Sequence, residues 1–355
     1  MDKKKTYSLK ESAITYIFSL IAVFCGSIFM LNMASVIASL QGVDVNEAFA
    51  SEWASYLSMF VSALVFLLVY IGMNLFKKKD FKIASRIKVK FDYKIFIPVI
   101  FLSAIIMLAC VNMTGLFNHV AGFFTTKVSA GSLGVEMNNF WQFLLIVFLL
   151  AFLPAVCEEL VFRGIIYNGL RQKFSTFKSV LISSLMFALI HFSIYQSFFQ
   201  VILGVVLGLL VYYTGTIFYS IVYHFINNFT IILINYLSPN KAIFEFSTWG
   251  VKEILLSILF FVIGIAIAFL FFVLLKNYTG KHKKYLNLEP TNKPLGVEED
   301  KEQVVETEDG KIKLSEYDMK LLSNDEVGSG GVVWLVVGFV VAIVIWSINS
   351  FGGLM

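Results

Sequence analysis

The feature of the sequence that most constrains its fold is a succession of long apolar runs. Several of them reach about 18 residues or more, which is the length that a helix needs to cross a hydrocarbon core of about 30 Å. The runs lie at 12–40, 54–76, 94–116, 139–157 with a continuation towards 170, 179–195, 198–213, 216–237, 253–276 and 331–350. They are continuous rather than alternating, which does not fit an outer-membrane barrel. The sequence therefore predicts an all-α, polytopic membrane helical bundle with about eight core transmembrane helices and one C-terminal helix.

The composition supports a membrane protein. Hydrophobic residues make up 58% of the chain and charged residues 15%, whereas soluble domains are about half apolar and a quarter charged. The net charge of +4 is ordinary for a membrane protein with basic loops, and nothing indicates a nucleic-acid partner. Cys25, Cys110 and Cys157 lie far apart inside apolar runs, so neither a disulfide scaffold nor a cysteine-rich zinc site is indicated.

The distribution of basic residues predicts the orientation in the membrane. Lysine and arginine concentrate in segments 3–10, 77–94, 171–178 and 276–284, whereas segment 117–138 has a single lysine. Cytoplasmic loops carry the excess of basic residues. A cytoplasmic N-terminus places all four basic segments inside, so we expect a multi-pass protein of the cell membrane with this orientation.

Four regions follow from these patterns. Residues 1–93 form an N-terminal transmembrane hairpin with a basic cytoplasmic loop, and residues 94–276 form the membrane core. Residues 277–330 form a polar linker that is acidic at 298–309, and its low apolar content predicts a flexible segment without a fold. Residues 331–355 contain the C-terminal transmembrane helix.

Polar residues at membrane depth are the candidates for a functional site, because such groups are costly in lipid and face a protein cavity. The candidates are Glu158, Glu159, Arg163, His191, His224 and Asn228. Glu159 and Arg163 are four residues apart on one helical face and can form an ion pair. Glu158 is rotated by about 100° from Glu159, so its carboxylate is expected to stay free.

The histidines and the asparagine form the other half of the candidate site. His224 and Asn228 share a helical face, so the amide could orient the imidazole or complete an oxyanion site; Asn227 is the alternative amide. Counting residues from the cytoplasmic helix ends puts Glu158 and His191 at a depth of roughly 18 Å and His224 at roughly 13 Å. The similar depths predict one buried site that opens inward.

Each of these residues also has a plainer interpretation. The acids and the arginine could be an incidental ion pair at a helix end, and His191 could be a packing residue. His224 and Asn228 could make ordinary hydrogen bonds between membrane helices. Cys157, beside the acids, could be a thiol nucleophile, but a small packing residue is the better interpretation.

Three motifs in successive membrane segments resemble a known family. "EELVFR" fits EExxxR, "FALIH" fits FxxxH and "HFINN" fits HxxxN, in that order. The chain thereby resembles the CPBP family (CAAX protease and bacteriocin-processing, also called Abi) of intramembrane proteases, which includes the type II CAAX prenyl endopeptidases. The resemblance covers about residues 140–235 and extends to neither end of the chain.

The resemblance implies hydrolysis of a peptide bond inside the membrane. It implies that Glu158 is the general base on water, that His191 binds or activates this water, and that His224 and Asn228 stabilise the oxyanion. Glu159 and Arg163 are then supporting residues.

The participation of a metal is left open by the motifs. Glu158, His191 and His224 are a plausible set of zinc ligands with an open position, but no HExxH motif is present. The same three side chains could polarise water without a metal.

The expected substrate is a hydrophobic or amphipathic peptide or protein that is reached from the cytoplasmic side of the lipid membrane. A composition rich in Lys, Ile, Phe and Asn suggests a low-GC Gram-positive bacterium. By analogy, bacteriocin or signal-peptide maturation or self-immunity is then favoured over CAAX processing.

Two other classes of function compete with the protease. One is a non-catalytic membrane adaptor that regulates a partner such as a sensor kinase, with the C-terminal tail as the surface for a membrane protein partner. The other is a proton-coupled transporter, which is weaker because no paired repeat is found. The tail contains none of the buried polar groups, so a chain that ends after Lys284 is expected to keep the chemistry.

Overall fold

The structure, a computed structural model, describes residues 6–80, 84–87, 91–123, 137–238, 250–281, 303–307, 310–314 and 329–351. Within these residues the membrane part is a bundle of helices, and the all-α membrane class is confirmed. The helices are α1 (Leu9–Gln41), α2 (Val45–Ala50), α3 (Glu52–Lys77), α4 (Tyr93–Ala121), α5 (Phe140–Leu170), α6 (Thr176–Leu189), α7 (Ile194–Thr214), α8 (Phe218–Leu237), α9 (Val251–Lys281) and α10 (Ser329–Phe351).

Eight of these helices are long and apolar enough to cross a membrane, namely all except α2 and α6. Each of the nine predicted runs coincides with one helix, but the run at 179–195 is not one continuous span. Helix α6 ends at Leu189 after 14 residues, about 21 Å of helix. Phe192 then adopts a left-handed φ of 48°, so His191 lies in a turn rather than inside a helix.

Local sequence signals fix several helix ends. Ser8 and Glu11 form a capping box at the start of α1, in which each side chain accepts a hydrogen bond from the backbone N–H of the other residue,. Gly42 and Gly215 end α1 and α7 with φ of 68° and 71°, a left-handed conformation that glycine adopts without a Cβ penalty.

Helix α5 lies in the centre of the bundle, packed against α1, α3 and α8, while α4 packs against α7, α8 and α9. Helices α6 and α7 form a tight hairpin. A Cβ at Gly204 of α7 would lie 2.8 Å from the Cα of Ser184 in α6, and one at Gly208 would lie 3.1 Å from Val180. Small residues let two membrane helices approach closely, and this hairpin carries His191 at its tip.

A cluster of bonded polar side chains lies near the first residues of the described chain. This N-terminal polar network consists of Tyr7, Tyr70, Asn74 and Ser85. The Tyr7 hydroxyl lies 2.7 Å from Asn74 Oδ1 and 3.0 Å from Ser85 Oγ, and the Tyr70 hydroxyl donates to Ser85 Oγ at 3.0 Å. Asn74 Nδ2 donates to the Tyr70 carbonyl. Burial raises the pKa of the Tyr7 hydroxyl, which keeps it a neutral donor.

The linker differs from the sequence prediction. Two antiparallel strands, β1 (Gln303–Thr307) and β2 (Gly310–Leu314), pair with Val305 opposite Ile312. The expectation of a linker without any fold is therefore wrong for this part, and residues 282–302 and 315–328 lie outside the described residues. The signal was present in the sequence: a short turn segment with Asp-Gly at 309–310 between two runs containing Val and Ile is typical of a β-hairpin.

Candidate active site

The two acids lie on an irregular helix. Helix α5 contains π-helical segments at Val147–Phe152 and Phe162–Ile166, one on each side of Glu158 and Glu159. Such segments are frequent at functional sites. Pro154 has no N–H and cannot donate to the carbonyl four residues earlier, so the usual α-helical hydrogen bond to the Leu150 carbonyl is missing.

Glu159 and Arg163 form the predicted ion pair. Both side chains are fully buried, and Arg163 Nη1 lies 2.7 Å from Glu159 Oε1. Arg163 Nη2 also donates to the Gly204 carbonyl on α7 at 3.1 Å. A buried charge is stable only when it is paired and hydrogen-bonded, so this pair both satisfies the two ions and ties α5 to α7.

His224 extends the pair from helix α8. Its Nδ1 lies 3.4 Å from Glu159 Oε1, an ion-pair distance whose geometry does not meet that of a hydrogen bond. The residue is only 3% exposed. The buried acid thus faces a guanidinium from its own helix and an imidazole from another, a contact that spacing along one helix could not predict.

Phe187 lies between the charged groups and the histidines. Arg163 Cζ is 4.6 Å from the centre of the Phe187 ring, which is within cation–π range. The same ring meets the His191 and His224 rings edge to face, with centroid distances of 5.0 and 5.9 Å. Phe187 is the first residue of the FALIH motif, but its role as the central contact of the site was not predicted.

His191 has a defined tautomer. Its Nδ1 lies 2.7 Å from the Phe187 carbonyl oxygen, and because a carbonyl only accepts, Nδ1 must carry the proton. A neutral ring then has its lone pair on Nε2. The Phe187 ring contacts His191, His224 and Arg163, so residues of the three motifs are brought together.

Glu158 is partly buried and is not held as Glu159 is. Its Oε2 atom is buried and accepts no hydrogen bond from the part of the chain that the structure describes. The expectation that one carboxylate is paired while the other stays free therefore agrees with the geometry.

Asn228 is placed differently from the sequence prediction. Its Nδ2 donates to the Leu150 carbonyl at 3.1 Å, and its Oδ1 accepts from Asn227 Nδ2 at 3.2 Å. Among the described residues no hydrogen bond joins Asn228 to His224, so the amide does not orient the imidazole. It instead supplies a donor to the carbonyl that Pro154 leaves without its α-helical partner.

The side chains do not form a recognisable metal centre. Across the described ranges, no three His, Cys, Asp or Glu side chains are grouped so that they could hold a metal ion, and this includes the predicted set of Glu158, His191 and His224. His224 Nδ1 is directed towards Glu159 instead. The geometry therefore assigns no set of metal ligands among the described residues.

Residues 140–230 match the family model described as type II CAAX prenyl endopeptidase, Rce1-like. The match covers about a quarter of the chain and includes all three motifs. This segment belongs to the CPBP/CAAX protease family. Members of such a family are hydrolases of peptide bonds, and the CAAX-protease segment extends from α5 into α8. No curated protein and no solved structure matches the chain.

Every predicted site residue lies within the CAAX-protease segment. Helices α1, α3, α4, α9 and α10 lie outside it and surround it. The family assignment and the multi-pass membrane class are thus supported by independent observations, one from the motifs and one from the helices.

Proposed function

We propose that the protein is an intramembrane endopeptidase in which Glu158 activates a water molecule. The observation that carries the proposal is the buried Oε2 of Glu158, which has no hydrogen-bond partner among the described residues. It lies on the helix whose Arg163 shares the Phe187 ring with His191. A carboxylate without a donor in a buried place is costly for stability, and a general base needs such an available lone pair.

In the proposed reaction Glu158 takes a proton from water, and the oxygen attacks the carbonyl carbon of the substrate peptide. His191 Nε2 accepts a second hydrogen bond from the same water and orients it. When the carbon–nitrogen bond breaks, Glu158 returns its proton to the leaving amine. A positioned base of this kind contributes about 10²- to 10⁴-fold in rate.

The oxyanion of the tetrahedral intermediate needs donors. We assign this role to His224 and to the second N–H of the Asn228 amide. His224 Nδ1 lies 3.4 Å from Glu159 Oε1, which leaves Nε2 as the ring nitrogen that donates to the oxyanion. Glu159 and Arg163 support the site by holding His224 in place.

The proposed substrate is a hydrophobic or amphipathic peptide or protein in the lipid membrane, reached from the cytoplasmic side, on which we also place the N-terminus. The biological role that fits such a substrate in a Gram-positive bacterium is bacteriocin or signal-peptide maturation or self-immunity.

The test is cleavage of a library of hydrophobic peptides by the full chain purified in detergent. Glu158→Gln and His191→Ala are each expected to lower the rate by at least about a hundredfold while the protein accumulates as the wild type does. Cys157→Ala is the matched control, because this neighbour of Glu158 is 3% exposed and packs in the apolar core; it should keep the wild-type rate. Full biological activity in both site variants would favour the non-catalytic adaptor instead.

A further inference from the structure

The turn between α6 and α7 places irregular backbone at membrane depth. Its N–H groups are partly satisfied within the turn, since His191 N donates to the Ala188 carbonyl at 3.3 Å and Phe192 N to the Leu189 carbonyl at 3.1 Å. In a bilayer, backbone groups outside regular helices must find partners in the protein or in a water-filled cavity. The Phe192 carbonyl, next to His191, therefore needs a donor from elsewhere.

Helix α10 supplies this donor. Asn349 Nδ2 donates to the Phe192 carbonyl. One turn earlier on the same face, Trp346 Nε1 donates to Ser197 Oγ at 2.8 Å, and Ser197 in turn donates to the Ser193 carbonyl at 2.6 Å. The end of α10 thus contacts the turn at Phe192 and the first residues of α7.

Helix α10 is itself held in register by α1. A Cβ at Gly331 would lie 3.1 Å from the backbone nitrogen of Lys10, and one at Gly338 would lie 3.1 Å from Tyr16, so the two helices run parallel. Tyr16 also donates to the Met186 carbonyl of α6 at 3.1 Å. Helix α10 is therefore fixed against the same helix that contacts α6.

Phe192 has a conformation that needs support. A left-handed φ of 48° is unfavourable for a residue with a Cβ, and such conformations persist when the surroundings hold them. Since His191 is the preceding residue, a change at Phe192 would redirect the imidazole.

We propose that α10 positions His191, with Asn349 and Trp346 as the positioning residues that fix the turn. The catalytic consequence rests on the proposed function. The proposal reverses the expectation that a chain ending after Lys284 keeps the chemistry. Helix α10 carries no reactive group itself, but it holds the turn that carries His191.

The experiment compares Asn349→Ala and Asn349→Asp in the full chain purified in detergent. The aspartate has the size of asparagine but lacks the N–H donors, so both variants should lower kcat by ten- to a hundredfold, as expected for a misplaced reacting group, with KM within twofold of the wild type. Asn32→Ala is the matched control, because this exposed amide on α1 donates to the Ile28 carbonyl of its own helix; it should leave kcat unchanged.

A second readout does not depend on activity. In ¹⁵N-histidine NMR, the His191 ring signals, assigned by their loss in His191→Ala, should shift or broaden in both Asn349 variants while the His224 signals stay in place. If the wild type cleaves no peptide, the proposed function fails, yet this spectrum still tests the positioning of His191.

Three results would overturn the proposal. One is an unchanged His191 signal in both variants, and another is a changed signal with wild-type kcat in an active enzyme. The third is a folded chain ending after Lys284 with wild-type kcat. If the Asn349 variants do not fold, Trp346→Phe replaces the indole by a smaller aromatic ring without an N–H donor and is expected to give a smaller change in the same signals. Unchanged signals there also contradict the proposal.

Discussion

The two polar clusters of this apolar bundle, the N-terminal polar network and the site around Glu158, differ in how complete their hydrogen bonds are. In the network, the hydroxyls of Tyr7 and Tyr70 and both polar atoms of the Asn74 amide have partners. Around the site, several buried polar atoms have no hydrogen-bond partner in the described part of the chain; they are Glu158 Oε2, Glu159 Oε2, Arg163 Nε, Tyr223 Oη, His224 Nδ1 and Asn227 Oδ1.

This difference in hydrogen bonding distinguishes residues that stabilise the fold from residues that take part in the proposed reaction. A buried polar group without a partner destabilises a fold by about 1–3 kcal/mol, so a cluster of them calls for a reason, and reactivity towards water and substrate is one. A complete network instead holds helices together, because its polar groups are already engaged with one another. Changes in the network should therefore alter the free energy of unfolding alone, whereas changes in the site should alter the rate.

The largest expected effect is that of Arg163→Met, which removes one member of the buried ion pair with Glu159. It leaves Glu159 buried without its main counter-charge, and removing one partner of a buried pair destabilises by about 3–5 kcal/mol. We expect poor accumulation and a lower thermal unfolding midpoint in detergent. The double variant Glu159→Gln with Arg163→Met is the control and should recover part of the loss; a single variant as stable as the wild type would show that the pair is not structural.

Asn228→Ala tests both sides of the comparison, because this side chain makes a structural hydrogen bond and is also assigned to the chemistry. It removes a donor to Leu150 and a proposed oxyanion donor, and loss of an oxyanion donor lowers kcat by about a hundredfold. Asn235→Ala on the same helix, whose amide donates to the Ile231 carbonyl, is the matched control and should keep the rate. Equal, small effects of the two variants would remove Asn228 from the proposed mechanism.

Tyr7→Phe is expected to have the smallest effect. It removes a hydroxyl that bonds Asn74 and Ser85, so the free energy of unfolding should fall by about 1–2 kcal/mol. The kcat of the folded fraction should stay unchanged. A loss of kcat at unchanged stability would contradict the assignment of the N-terminal polar network to stability alone.

The positions of the helices could be predicted from the sequence because apolar runs of spanning length permit few alternatives. The Glu159–Arg163 pair could be predicted as well, because it depends only on helical spacing. The contact between Glu159 and His224 could not, since it depends on how α5 and α8 pack. The turn at Phe192 could not be predicted either, because a continuous apolar run does not indicate that a helix ends within it.

Some features that were not predicted could have been inferred from the sequence. Pro154 cannot donate to the Leu150 carbonyl, which predicts that this oxygen needs another donor at membrane depth, and Asn228 supplies it. An aromatic residue four positions before a membrane histidine, as in Phe187 and His191, similarly predicts a ring contact. Both signals are local in the sequence.

The length of the short helix α6 sets the distance between the start of this helix and His191. Its 14 residues set His191 about 21 Å from the start of the helix at Thr176. Under the proposed function and orientation, a transmembrane segment of a substrate would meet the reactive groups at that distance from the cytoplasmic face. A helical substrate would then be cut about 14 residues from the same face, and an extended one about six residues from it. The cleaved bond would be selected by its distance from the membrane boundary, so inserting residues between that boundary and the bond would move the cut by the same number of residues.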